Sequence, residues 1–526
     1  MTTVPPAASP LPTAPRRGAA WLWLGLLVAA ATLYFATAHR GVQWQDSGWQ
    51  QVRIATGELS HPLGLALTHP LQFFLGRAAI ARTGLEPAYA TTLLSGLAAA
   101  VAVANVGTLL LLLGAGRAAA LIAAGGLAVA HTIWQHATIT ESYTLVAALL
   151  STEWLILARF GAKRDPRWLV AWALVNGLGV SNHLLAGLAT PVLTVLLLHG
   201  WWRRQWAGHV LLTCAVAWLA GAGLYGGMVL GELARTGDLA GTVRSALVGS
   251  YASDVMNTRV SGRGLALSLG YLVYNFPNLL LPAAVAGLVL RGAQPPLVRR
   301  VLLAQLALYL LFVLRYSVQD QYTFFVPVYT LLAVFAGTGL AALAARWRRR
   351  AVLLGITAAS VALTPPLYVT TSLVLHARGA LADLVGQKPY RNGYRAFFIP
   401  WGVGEDSADR LADAAFAQAG PNGLILLGDG MARFALDYRQ ARGTAPAGVA
   451  IELYGGSPDT DTLTLRHELL ATAWRVRRPV VLVPRDRTRA DFGVDAARWE
   501  RRGDLYVLAD LAGVEPLPAA PSLPSE

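Results

Sequence analysis

The chain has a single cysteine, Cys214, in 526 residues, which excludes an internal disulfide and a cysteine-ligated metal cluster. Charge is also scarce. Asp, Glu, Lys and Arg make up 14% of the residues, too few to clothe a soluble protein of this length. There is no HExxH, and residues 405–516 hold neither a GxGxxG nor a P-loop, so nothing supports zinc-protease chemistry or nucleotide binding there. No internal repeat is visible.

What is abundant is apolar sequence in unbroken blocks, 55% of the chain with a mean hydropathy of +0.47. Residues 19–38, 88–113, 265–290 and 323–345 contain no Asp, Glu, Lys or Arg. About 20 apolar residues cross the hydrocarbon of a bilayer as a helix. The reading is an α-helical polytopic membrane protein with a small C-terminal α/β soluble domain. Eleven spans fit, near 19–38, 88–113, 118–137, 141–160, 168–182, 184–200, 206–231, 265–290, 301–315, 323–345 and 351–371; the short pair 168–182 and 184–200 also suits a re-entrant hairpin. The expected division is a disordered tail at 1–18, a membrane domain at 19–371, a linker at 372–404, a soluble domain at 405–516 and a disordered tail at 517–526. The first span reads as an uncleaved anchor, because its apolar stretch exceeds the usual signal-peptide core.

The net charge of +14 divides unevenly. Residues 1–371 carry 25 Lys+Arg against 10 Asp+Glu, whereas residues 372–526 carry 18 against 19. The excess base therefore lies in the membrane part, where loop charge sets orientation, and does not imply nucleic acid. It falls in every second connection, at Arg16/Arg17, Arg117, Lys163/Arg164/Arg167, Arg203/Arg204, Arg291/Arg299/Arg300 and Arg346/Arg348/Arg349/Arg350. That alternation predicts a multi-pass protein of the inner (plasma) membrane with its N-terminus in the cytoplasm and residues 372–526 outside. The remaining connections hold nearly all the acids of the membrane part, among them Asp46, Glu141, Asp254 and Asp320. Glu153 lies well inside a span, where it is either functional or a polar contact between helices.

The first long connection reads Trp44-Gln45-Asp46-Ser47-Gly48-Trp49, followed by His61-Pro62-Leu63-Gly64. Further on come Thr140-Glu141-Ser142-Tyr143-Thr144, Gly177 to Asn182-His183, Asp320-Gln321-Tyr322-Thr323-Phe324-Phe325-Val326-Pro327, and Tyr394 to Trp401. In this order the chain resembles the glycosyltransferase C-type superfamily, and within it the protein O-mannosyltransferase-like family, over roughly residues 20–400. The resemblance implies an inverting glycosyltransferase that moves mannose from a polyprenyl-phosphate donor to a hydroxyl of a protein, lipid or glycan acceptor at the outer membrane face. Two positions depart from the family pattern: Trp49 stands where the family has an acid, and Leu63 where it has a second Pro.

Such a transfer needs a base for the acceptor hydroxyl, donors for the leaving phosphate and an apolar path for the lipid. Phosphate leaves readily, so one carboxylate serves where glycosidases need two. Asp46 is the candidate base, although Asp-Ser-Gly is also ordinary turn and helix-start chemistry. Glu141 either orients the acceptor or only favours a helix N-terminus. Asn182 and His183 are candidate donors to sugar or phosphate, or plain interfacial residues. Arg315 lies on the wrong side for the orientation rule, which fits a phosphate fork as well as snorkelling. Asp320, Gln321 and Tyr322 follow it as candidate substrate-binding residues, with Asp320 either in the chemistry or paired to Arg315. Arg244 and Tyr251 are weaker candidates. The sequence requires no cofactor and shows no metal motif, yet Asp46 with Glu141 is compatible with a divalent ion. A transporter or flippase of lipid-linked sugars, and a non-catalytic scaffold, are the rival readings.

In the terminal region an amphipathic run at 406–418, apolar strands at 424–427, 480–483 and 505–508, and a helix near 461–475 predict a small α/β unit that helps to hold the acceptor. Asp429, at the end of the first of these strands, reads as a turn residue or a ligand contact.

Overall fold

A computed structural model describes residues 16–290, 292, 294–316, 318, 320–454, 460–487 and 497–515. The expected disordered tails lie outside these residues, apart from Arg16–Gly18, which open the first helix.

The chain starts with α1 (Arg16–Ala36), and the first long connection folds into α2 (Gln45–Thr56), a 3-10 turn at Leu65–Leu67 and α3 (Pro70–Thr83). Then come α4 (Pro87–Leu112), α5 (Arg117–Ala128), α6 (His131–Ala137), α7 (Tyr143–Lys163), α8 (Arg167–Asn182), α9 (Thr190–Trp202), α10 (Gly208–Gly221) and α11 (Gly223–Thr236). The next long connection holds α12 (Leu239–Leu247) and α13 (Ala252–Val255). The bundle is completed by α14 (Gly262–Asn275), α15 (Leu280–Val289), α16 (Pro296–Arg315), the short α17 (Gln321–Phe324), α18 (Val326–Arg346), α19 (Arg350–Ala362) and α20 (Thr364–Arg378).

Among the described residues, six helices are by themselves long and apolar enough to cross a membrane. Four bent pairs bring the number to ten: α5 with α6 at 64°, α10 with α11 at 71°, α14 with α15 at 109°, and α19 with α20 at 42°. Pro277 accounts for the sharpest bend, since it cannot donate to the helix ladder and Asn278 instead caps Leu280. The eleventh expected segment, 168–182, is α8, sixteen residues long and below that length. The span expected from 141 begins at Tyr143, so Glu141 lies in the connection before it.

The connections at one end of the bundle pack on one another. Arg53 of α2 donates to the carbonyls of Leu59, Ser60 and Thr68, closing the first connection on itself. Ser250 N donates to Leu63 O at 2.8 Å, so the α12–α13 connection rests on the His-Pro stretch.

After α21 (Ala382–Val385) and α22 (Gly393–Phe398), the C-terminal region forms α23 (Ser407–Ala419), β1 (Leu424–Leu427), α24 (Arg433–Ala441), β2 (Ala450–Leu453), α25 (Thr460–Arg475), β3 (Val480–Val483), β4 (Ala497–Arg502) and β5 (Leu505–Leu511). The sheet order is β2-β1-β3-β5-β4. β1 pairs in parallel with β2 and β3, and β5 runs antiparallel to β3 and β4. β2 and β4 escape the sequence patterns, because β2 buries only Ile451 of its residues and β4 reads Ala-Arg-Trp-Glu-Arg-Arg with its face largely exposed.

One face of this sheet does not close its own core. Val42, Trp44 and Ala88 of the membrane part are buried together with Leu411, Ala415, Phe416, Leu436 and Val481. Trp44 Nε1 donates to Ser407 Oγ at 2.8 Å, and Ala88 N to the Tyr438 hydroxyl at 3.1 Å. Trp49 is stacked between His61, 4.1 Å away, and Phe434 of α24, 4.9 Å away. This seam explains Gly48: a Cβ there would lie 2.1 Å from Gln43 O and 3.1 Å from Phe434 Cβ. Neither neighbour can move without shifting α2 against α24. Gly48→Ala is therefore expected to destabilise the protein by about 1–3 kcal/mol as an overpacking change. Thermal unfolding in detergent checks this, and an unaltered midpoint would mean that the seam is loose.

Candidate active site

The site is built where α2 starts. Gln45 takes a left-handed φ of 58°, a conformation that an L residue holds only when its surroundings enforce it. Trp44, at the N-cap position, is buried in the seam and makes no side-chain cap bond, and Asp46 falls in the first turn. No protein group among the described residues hydrogen-bonds the Asp46 carboxylate, which rules out the capping reading of its side chain. One side of that carboxylate is open to solvent while protein crowds the others, and this crowding raises its pKa above the ordinary aspartate value.

Glu141 lies beside it, buried to 8% exposure. Ser47 Oγ donates to Glu141 Oε1 at 2.9 Å, so the middle residue of Asp-Ser-Gly holds the second carboxylate. The Glu141 backbone is clamped by Ser95, whose Oγ accepts from Glu141 N at 3.0 Å and donates to Glu141 O at 3.1 Å. Gln43 Oε1 accepts from Thr140 N at 2.8 Å, tying the same connection to the first one. Burial, then the charge of Asp46, pushes the Glu141 pKa up to about 8; the Ser47 hydrogen bond opposes the shift and Asp320 adds to it. Asp320 itself is raised to about 6, first by burial and then by Asp46. Three carboxylates from three distant segments thus act on one another, and at neutral pH Glu141 keeps its proton.

The structure divides the other candidates. Tyr322 joins Asp320 on the wall of a cavity of about 1320 Å³ between the bundle and the C-terminal sheet, and Tyr251 lies near enough to feel both Asp46 and Asp320. Gln321 also borders the cavity, although its Nε2 is spent on Val313 O at 2.7 Å. Asn182 Nδ2 donates to Ser142 O at 3.0 Å, and its Oδ1 is buried without a partner among the described residues. His183 accepts from Leu185 N with its Nδ1 and stacks on His69 at 4.6 Å, so both residues hold α8 in place beside Glu141 and do not line the cavity. Arg315 donates through Nη1 to Val255 O and Asn257 O at 2.7 and 2.9 Å, and sits over Phe312. It pins the α13 segment, makes no ion pair with Asp320 among the described residues and is not part of the cavity wall. Arg244 is exposed and stays away from the cavity as well. Glu153 is fully buried and accepts from Trp172 Nε1 at 2.8 Å and Asn176 Nδ2 at 3.1 Å, a contact that ties α7 to α8. Asp429 caps Met431 N and pairs with Lys388, which is the turn role.

The cavity has bases of its own that the sequence reading passed over: Arg259, Arg263 and Arg391. Arg259 lies in the second long connection and Arg263 in the first turn of α14, whereas the orientation argument singled out Arg315 as the basic residue of a short connection. Arg391, in the linker, packs its guanidinium over Trp44 at 5.7 Å. Among the described residues, no three His, Cys, Asp or Glu side chains form a metal-binding group.

With this geometry in hand, comparison with known proteins is informative. Residues 46–206 match the family described as protein O-mannosyl-transferase TMEM260 N-terminal domain. That stretch is O-mannosyltransferase-like. It begins at Asp46 and runs through Glu141, Asn182 and His183, as the sequence motifs suggested. The whole chain is similar in fold to the crystal structure of ArnT from Cupriavidus metallidurans bound to undecaprenyl phosphate, with a TM-score of 0.57, 16% identity, and 94% of this chain and 98% of that one covered. The apo structure of the same ArnT gives 0.54, 16%, 93% and 98%. The fold is glycosyltransferase C-type, with a small C-terminal sheet region. No curated protein sequence matches the chain.

Because the Asp46 charge raises Glu141, Asp46→Asn is expected to bring the Glu141 titration down from about 8. A pH titration of the carboxyl infrared bands, assigned with Glu141→Gln, measures it. An unchanged midpoint would mean that the two carboxylates do not communicate.

Proposed function

We propose that the protein is an inverting glycosyltransferase that moves mannose from a polyprenyl-phosphate donor to an acceptor hydroxyl. The observation that carries this reading is the convergence of Asp46, Glu141 and Asp320 beside a cavity with arginines on its wall. Similarity to an ArnT solved with undecaprenyl phosphate supports the donor class, and the O-mannosyl-transferase match over residues 46–206 supports the sugar.

In this mechanism the acceptor oxygen attacks the anomeric carbon from the face opposite the phosphate. The carbon–oxygen bond to phosphate breaks, the polyprenyl phosphate leaves, and the hydroxyl proton passes to Asp46. Arg259 and Arg263 stabilise the leaving phosphate through paired donors, a role the sequence pointed to in Arg315. Glu141, protonated, holds Ser47 and places no second negative charge beside the base. The proton on Glu141 does what a divalent ion would otherwise do, so transfer is expected to withstand EDTA. The acceptor is a protein, lipid or glycan.

Asp46→Asn is expected to lower turnover about 10²–10⁴-fold, the usual cost of a general base, while leaving donor binding nearly intact. Polyprenyl-phosphate-mannose transfer by purified protein measures this, and parent-like turnover would move the base elsewhere. The pH profile of kcat/KM follows from the two shifts. Activity falls on the acid side as Asp46 gains a proton above the ordinary aspartate range, and on the alkaline side near 8 as Glu141 loses one. Glu141→Gln should remove the alkaline limb only; a profile that keeps it assigns that limb to another group.

The same reading counts α8 as an eleventh crossing, which puts the N-terminus in the cytoplasm, and the cavity and C-terminal sheet on the outer face of the inner membrane. An alkaline phosphatase or green fluorescent protein fusion after Asp510 tests it. Fluorescence without phosphatase activity would reverse the orientation.

A further inference from the structure

We propose that the crevice at the carboxyl ends of β1 and β3 holds the acceptor, and that this acceptor carries an oxyanion, phosphate or carboxylate, near the hydroxyl that receives the sugar. The name acceptor rests on the glycosyltransferase reading; the oxyanion site does not.

Three observations lead there. First, the strand order places a topological switch between β1 and β3: the chain leaves β1 for β2 on one side and returns across to β3 on the other. Open α/β sheets bind ligands just outside the carboxyl ends of their strands at such a switch, where the diverging connections leave a gap. Second, the residues following all three parallel strands, Gly428 after β1, Tyr454 after β2 and Pro484 and Arg485 after β3, line the same cavity as Asp320 and Tyr322. One continuous space therefore joins the sheet's ligand-binding edge to Asp320, the member of the carboxylate cluster that lines it. Third, the charge at that edge is suited to an anion. Arg485 is exposed, and among the described residues no carboxylate lies within ion-pair reach of it. Arg466 sits over the Tyr454 ring at 4.7 Å and borders the cavity as well. Asp486 at this edge and Asp383 on the adjoining wall are the acids nearby in the lining, while Lys388 is already engaged by Asp429.

The local backbone shows why the crevice is narrow. Gly428 N donates to Val483 O at 2.8 Å, prolonging the β1–β3 pairing by one residue. A Cβ on Gly428 would lie 2.7 Å from Arg485 N, so only glycine lets the two strand ends come this close and fixes where Arg485 begins. The arginines that face this edge across the cavity, Arg259 and Arg263, are those given to the donor phosphate. Bases thus come from both the bundle and the sheet, which suits one anion on each, with the reacting hydroxyl between them.

Calorimetric titration of the full-length protein in detergent tests this with glycerol 3-phosphate and glucuronate as acceptor-like probes and undecaprenyl phosphate as the donor-like one. The parent is expected to bind at least one of the two small probes. Arg485→Gln should weaken that binding about tenfold, and Gly428→Ala should weaken it with no change of charge. Undecaprenyl phosphate binding should survive both changes and weaken in Arg263→Gln. The proposal is overturned if neither small probe binds, if Arg485→Gln leaves the bound probe's affinity unchanged, or if it weakens undecaprenyl phosphate as much as the probe, which would make both patches one donor site. If undecaprenyl phosphate fails to bind while the probe still depends on Arg485, the oxyanion site stands and the glycosyltransferase reading falls.

Discussion

The apolar seam between the first long connection and the C-terminal sheet sets the geometry of everything around it. Trp44 is buried in it, Gln45 is forced into a left-handed turn directly after it, and Asp46 is therefore presented at the start of α2. A single buried aromatic of this size contributes about 3–5 kcal/mol when truncation is the measure, more than the turn strain opposing it. The carboxylate is thus aimed by hydrophobic contact made several residues away, and the sheet serves as the other half of its support.

Around that anchor the electrostatics are arranged by unequal burial. Asp46 has one solvated side, whereas Glu141 has none and is held by Ser47 and Ser95. Crowding like charges into one region forces one of them to stay neutral, and desolvation selects Glu141. Neighbouring residues of one motif thus take different parts: Asp46 is the more solvated acid, Ser47 positions its buried partner, and Gly48 admits Phe434 to the seam. Trp49, where the resembling family has an acid, spends its position on the stack with His61 and Phe434. A second acid there would face a ring and not the cavity.

Much of this was legible in the sequence. Long uncharged blocks gave the helices, and apolar runs gave β1, β3 and β5; for β1 and β3 burial on both faces is what leaves the mark in composition. Asp46, Glu141 and Asp320 were legible through motifs, and they do converge. What could not be read was long-range. Arg315 stood out in sequence as the basic residue of a short connection and Arg259, in a long one, did not, yet the first is consumed by backbone carbonyls and the second lines the cavity. The bends at Pro277 and at Ala222 interrupt segments that read as continuous, because hydropathy reports where a chain is apolar and not whether it is straight. β2 and β4 were missed because they are largely exposed and so lack the apolar run that marks β1 and β3.

The seam also has a bearing on biogenesis. Trp44 meets Ser407 across 363 residues of chain, so the first connection is translated and inserted long before its partner exists. At an elongation rate of about 5–20 residues per second, that interval lasts roughly 20–70 s. Throughout it, Val42, Trp44 and Ala88 have no sheet to cover them, and the turn at Gln45 has nothing to hold it. A nascent or truncated chain ending before α23 therefore keeps an exposed sticky patch and an unassembled carboxylate, and translation of the last hundred or so residues is what switches the first motif on.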